Sequence, residues 1–151
     1  MLFRSNLVVL RSLGKFFGLA GARVGFAIAA DAILDRLAEQ IGPWAVAHPS
    51  RHAARAALAD GAWQAAQRTR LRRDSARLQR LLAAADLGDA GGTALFRYLP
   101  REDARELHEF FARQGILLRH FAQPAALRIG LPGTEADWQR LAAALEKWSH
   151  R

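Results

Sequence analysis

The stretch Leu7-Val8-Val9-Leu10-Arg11-Ser12-Leu13-Gly14-Lys15-Phe16-Phe17-Gly18-Leu19-Ala20-Gly21-Ala22-Arg23-Val24-Gly25-Phe26-Ala27-Ile28-Ala29 decides how the chain is read. Two short apolar runs, Leu7 to Leu10 and Val24 to Ala29, flank a loop carrying Ser12, Lys15 and Arg23. The runs hold Val8, Val9, Val24, Phe26 and Ile28 and are bounded by turn residues, so they are predicted to be buried strands. Gly14, Gly18, Gly21 and Gly25 permit close backbone turns between them. A buried loop with a hydroxyl, an amine and a guanidinium aimed into it reads as a site rather than a connector.

The lysine is the telling residue. Of the 22 basic residues only Lys15 and Lys147 are lysines; the rest are arginines. Arginine stays charged, whereas a lysine desolvated among Phe16, Phe17 and Leu19 can lose its proton and attack a carbonyl carbon. The competing reading is an ordinary loop lysine pointing to water.

The spacing Ser12-x-x-Lys15 followed by Arg23, with the glycine-rich turn between, resembles the cofactor-lysine signature of fold-type I pyridoxal-phosphate enzymes, the class I/II aminotransferase family. The resemblance implies an aspartate aminotransferase-like α/β fold with pyridoxal 5'-phosphate as cofactor. It implies that Lys15 carries the cofactor covalently while Ser12 and Arg23 bind its phosphate. The chemistry agrees: a hydroxyl and a planar guanidinium suit a phosphate dianion, and only the amine can form the covalent link. Gly14 departs from the pattern, because many relatives carry Ser or Thr immediately before the lysine.

Composition narrows the class. A chain of 151 residues with 51% apolar content can bury a real core, and without cysteine it can hold neither a disulfide framework nor a thiolate metal site. No run has the length of a signal-peptide core or a membrane span, so a soluble cytoplasmic protein is expected. The net charge is +8, and arginines at 68, 70, 72, 73, 77 and 80 form a dense basic stretch. That stretch could meet a polyanion, but no aromatic interleaving accompanies it. A solvated helix face is the favoured reading, with neither nucleic acid nor membrane as a partner.

Along the chain, Asp31 is a candidate N-cap for a helix carrying Ile33, Leu34, Leu37 and Ile41, ended by Gly42-Pro43. An alanine-rich helix is expected from about Pro49 to Ala59, broken by Asp60-Gly61, and a long helix from about Ala62 to Ala84. Leu87 to Gly92 reads as a turn region. Ala94 to Leu99, Ile116 to Arg119 and Leu127 to Gly130 read as strands. Ala104 to Gln114, closed by Gly115, and Glu135 to Trp148, capped by Thr134, read as helices. Strands alternating with helices give an α/β or α+β lobe. The expected organisation is a remnant of the cofactor-binding domain over 1–60, a connecting helix over 61–86 and a small α/β domain over 87–151.

The second half fits the same resemblance. Leu127 to Gly133 is similar to the strand whose arginine clamps the substrate α-carboxylate, which implies that role for Arg128. Arg119 stands near the place where relatives handling phosphorylated amino acids read the substrate phosphate; strand register decides which face it occupies. The runs Leu10 to Phe17, Gly42 to Val46, Gly92 to Phe96 and Leu127 to Gly133 together resemble the branch that decarboxylates L-threonine O-3-phosphate in cobalamin biosynthesis. Histidinol-phosphate and aromatic aminotransferases are the runner-up. The resemblance covers only the C-terminal part of the family's chain. It therefore implies an enzyme needing a missing N-terminal half, which in the family carries the aspartate on the pyridine nitrogen, and a homodimeric full-length form. A reading from another class is a non-catalytic module binding polyanions through Arg68 to Arg80.

Overall fold

The computed structural model describes residues 6–88 and 91–151. It divides into two compact units, Met1–Ala65 and Ala66–Arg151.

In the first unit, β1 (Val9–Ser12) and β2 (Gly25–Ile28) pair antiparallel, with Val9 opposite Ile28 and Ser12 opposite Gly25. Gly25 eases a tight approach: a Cβ there would stand 3.2 Å from the Arg11 carbonyl oxygen. The expected burial of these strands is not found. They form a two-stranded sheet of their own, and β1 exposes three of its four residues, Leu10 at 76%. Phe26 and Ile28 of β2 are also exposed. A two-stranded ribbon has one neighbour per strand and too little apolar cover to bury either face.

Apart from Ala29, what the unit buries lies at the ribbon's loop end. Leu13, Val24 and Ala54 form a small core, with Phe17, Leu19, Ala22 and Val46 packed on it. Ala54 comes from α2 (His48–Ala59), which carries a proline in its first turn, where the missing N–H costs nothing. Helix α1 (Asp31–Ile41) starts one residue earlier than expected from its cap: Ala30 occupies the N-cap and Asp31 is the first helical residue. There its carboxylate faces the positive end of the helix rather than bonding a backbone N–H. Helix α3 (Gly61–Ala84) begins here, with the Asp60 carboxylate accepting from Trp63 N at 2.9 Å.

The second unit is built on a four-stranded antiparallel sheet of order β3-β4-β6-β5, formed by β3 (Gly91–Thr93), β4 (Phe96–Pro100), β5 (Arg119–Phe121) and β6 (Ala126–Gly130). Strand β3 stands where part of a turn region was expected; positions 89 and 90 of that region lie outside the described residues. Helix α4 (Ala104–Arg113) buries Ala104, Leu107 and Phe111, a spacing of three and four that marks one face. Its end explains a second difference. Gly115 takes φ +72°, and Ile116 N returns to the Phe111 carbonyl at 2.9 Å. Ile116 is thereby committed to closing the helix, and the strand expected over 116–119 begins only at Arg119.

Helix α5 (Glu135–Ser149) opens on the expected Thr134 cap, in reciprocal form. Thr134 Oγ1 accepts from Asp137 N at 3.2 Å, and Thr134 N donates to the Asp137 carboxylate at 3.2 Å. Leu78 and Leu82 of α3, Leu107 and Phe111 of α4, Trp138, Leu141 and Leu145 of α5, and Leu99, Leu127 and Ile129 of the sheet make one core. No helix among the described residues is long and apolar enough to cross a membrane.

Candidate functional site

In the first unit the loop between β1 and β2 is tightly folded. Leu13 N donates to Val24 O at 3.3 Å, extending the hairpin, and Leu19 N donates to Leu13 O at 3.1 Å, closing a turn that contains Lys15. The buried Leu13 and Val24 anchor its two ends. Ser12 Oγ accepts from Gly14 N at 3.0 Å.

Arg23 sits at the end of a short 3-10 turn, Ala20–Ala22, with φ +52°. A side chain in that region costs energy that glycine avoids. The guanidinium Nη1 donates to Ala20 O at 3.1 Å and is otherwise exposed.

Lys15 differs from its expected setting. It is exposed, not desolvated among Phe16, Phe17 and Leu19. The aromatic rings turn elsewhere: Phe17 stacks on Trp63 at 5.8 Å, and Phe16 meets Phe17 edge-on at 4.9 Å and Trp63 at 5.7 Å. Leu19 packs on the small core. Trp63 is therefore part of the lysine loop's support, a role the sequence offered only as one apolar position in a long helix.

The donor set of this loop suits a phosphate. Between Asn6 and Ala30 there is no acidic residue, while Arg11, Ser12, Lys15 and Arg23 supply three cations and a hydroxyl. That chemistry fits the phosphate and aldehyde of pyridoxal phosphate.

In the second unit, Arg119 and Arg128 are direct partners across the β5–β6 pairing, so both side chains leave the same face of the sheet. Leu127 and Ile129 point into the core, which assigns Arg128 to the opposite, open face. Both arginines are exposed, and each lies over an aromatic ring: Arg128 5.2 Å from Phe96 and Arg119 5.5 Å from Phe121. Tyr98 stands opposite Arg128 on the other side and meets Phe121 edge-on at 5.9 Å. The alternation Phe96-Arg97-Tyr98 carried this signal, because odd and even positions of a strand face opposite ways. Sequence reasoning did not use it.

The family follows from comparison. The sequence pattern of aminotransferase class I and II matches residues 4–145. The chain is 54% identical over 142 residues to a threonine-phosphate decarboxylase of Pseudomonas aeruginosa, covering 94% of this chain and 43% of that protein. It is 41% identical over 145 residues to a threonine-phosphate decarboxylase of a Sinorhizobium species, covering 95% and 43%. Its fold superposes on histidinol-phosphate aminotransferase from Sinorhizobium meliloti, solved with pyridoxal-5'-phosphate, with TM-score 0.83 at 23% identity, covering 99% of this chain and 43% of that one. The chain belongs to the class I and II aminotransferases, a pyridoxal-phosphate-dependent family, and its α/β architecture is a partial, C-terminal-like segment of their fold. It spans less than half the length of these curated relatives.

Proposed function

We propose that the whole protein decarboxylates L-threonine O-3-phosphate with pyridoxal 5'-phosphate, and that this chain contributes the cofactor lysine and the substrate-anion clamp. The Arg119–Arg128 pairing is the observation that carries the substrate reading. Two guanidinium groups on one face suit a molecule with two anionic ends, a carboxylate and a phosphate. Arg128 holds the α-carboxylate and Arg119 the substrate phosphate. In the cofactor loop, Ser12 and Arg23 hold the cofactor phosphate. Lys15 carries the cofactor covalently, and its amine moves a proton at the substrate α-carbon.

When bound, the cofactor supplies an electron sink for the charge left at that carbon. Which bond breaks depends on how the two arginines orient the substrate. Identity of 54% to a threonine-phosphate decarboxylase supports loss of carboxylate over amino transfer. Residues 1–60 are the cofactor-bearing part, 61–86 a connecting helix and 87–151 the substrate-binding part. Full activity requires the length of the relatives that this chain does not span, in a homodimeric assembly.

The test has two stages. Incubating the chain with pyridoxal phosphate and borohydride should label Lys15 in preference to Lys147; equal labelling removes the assignment. With the remaining length restored, carbon dioxide should be released from threonine phosphate without consumption of a keto acid. Stoichiometric amino transfer from histidinol phosphate to 2-oxoglutarate, with no carbon dioxide, would establish the aminotransferase reading instead.

A further inference from the structure

Along the second half of α3, Arg70, Arg73, Arg77 and Arg80 recur at intervals of three and four, which sets them on one face of the helix. With Pro132, Gly133 and the start of α5, that face lines an open groove of about 510 Å³. Asp74 and Glu135 are the carboxylates lining it, so the groove holds two positive charges in excess.

Its internal pairs leave cationic capacity. Arg73 Nε donates to Asp74 Oδ1 at 2.9 Å, and Arg70 Nε stands 3.8 Å from Asp74 Oδ2. Arg77 makes a bidentate pair with Glu135, both bonds 2.6 Å, and its guanidinium lies 4.5 Å over the Trp138 ring. Arg80 has no ion pair among the described residues. At the same mouth, the N–H of Glu135 occupies the first helical position of α5, which has no intrahelical carbonyl to bond.

The geometry points to this groove as a binding site for a small polyphosphate. Arginines repeating about every 5.4 Å, one helical turn, suit a linear chain of phosphates. A single-stranded nucleic acid is disfavoured by the lining: Trp138, its one aromatic, is 4% exposed and lies beneath Arg77, which leaves no face for a base to stack on. The groove lies on the helical side of the second unit's sheet, whereas Arg119 and Arg128 leave the open face, so it does not depend on the proposed activity.

The probe is inorganic tripolyphosphate, titrated into the full chain by calorimetry at low ionic strength. A saturable site that depends on Arg73 and Arg80 is expected, weakening as salt is raised. Arg73→Ala and Arg80→Ala, both surface changes, should each weaken binding by roughly tenfold, the usual scale of a lost charge-assisted bond. Glu135→Gln removes a carboxylate and releases Arg77, so it should tighten binding several-fold, a change no merely solvated helix face predicts. Arg119→Ala should leave the affinity unchanged. Absence of saturable binding, weakening by Glu135→Gln, equal weakening by Arg119→Ala and Arg80→Ala, or tighter binding of a single-stranded oligonucleotide would each overturn the proposal. Circular dichroism of every variant separates lost binding from lost fold.

Discussion

Arg119 and Arg128 stand directly opposite each other on adjacent antiparallel strands, two like charges on one face with no carboxylate paired to either among the described residues. Such a pair is destabilising in the absence of a counter-ion. Stacking on Phe121 and Phe96 offsets part of the cost. Sodium chloride should therefore stabilise the second unit by screening the pair, and Arg119→Gln should shrink that gain while keeping the side chain's stem. Urea midpoints at low and high salt measure it; an identical salt response in both proteins would mean the repulsion is not felt.

Arg23 gives a case where stability and binding separate. Its φ of +52° is strained for an arginine and free for glycine. Arg23→Gly should leave the chain as stable or more stable by up to about 1 kcal/mol, even though it removes the bond to Ala20 O. The same change should weaken pyridoxal phosphate affinity by about 1.5–3 kcal/mol, the scale of a hydrogen bond to a charged group. Chemical denaturation and a cofactor titration, run on one preparation, check both halves.

Legibility in the sequence followed how local the deciding interaction was. Thr134 and Asp137 are three residues apart, and the cap they form could be read from the letters alone. Helix α3 and strand β6 were equally clear, the first from its length of unbroken helix formers, the second from Leu127 and Ile129 flanking Arg128. The late start of β5 was not, because whether Ile116 pairs in a sheet or returns to Phe111 O depends on how Gly115 ends α4. The proposed cofactor residues Ser12, Lys15 and Arg23 stand out in the sequence only as a spacing. The exposure of Lys15 and of the ribbon beside it does not, since apolar letters report what could be buried and not whether anything lies against it.

Acid should loosen the start of α5. The Asp137 carboxyl is held below its usual range, chiefly by the hydrogen bond from the Thr134 side chain, then by Thr134 N and Arg140. Glu135 is lowered too, chiefly by its bond from Arg77. A group depressed in the folded state contributes fully above its unfolded pKa and loses that contribution as pH falls through the folded one. Stability of the second unit should thus be flat from neutrality to about pH 5 and decline from about pH 4 downward. Asp137→Asn should lower stability at neutral pH and flatten the acid limb, whereas an unchanged acid limb would place the titrating group elsewhere. Thr134→Ala should cost about 0.5–2 kcal/mol, the usual range for losing a side-chain cap.

The exposed ribbon yields the last expectation. Leu10 is 76% exposed on β1, and Phe26 and Ile28 are exposed on β2. Apolar strands with unpaired edges are templates for pairing with another chain. Little burial is lost when Leu10 is replaced, so Leu10→Lys should change unfolding free energy by less than about 0.5 kcal/mol. The same change places a charge on the edge and should suppress self-association. Light scattering across a concentration series, beside urea unfolding, separates the two effects. If Leu10→Lys instead destabilises the chain by 2 kcal/mol or more, roughly the worth of a fully buried leucine, then Leu10 is covered in solution and β1 has a partner that the ribbon alone does not provide.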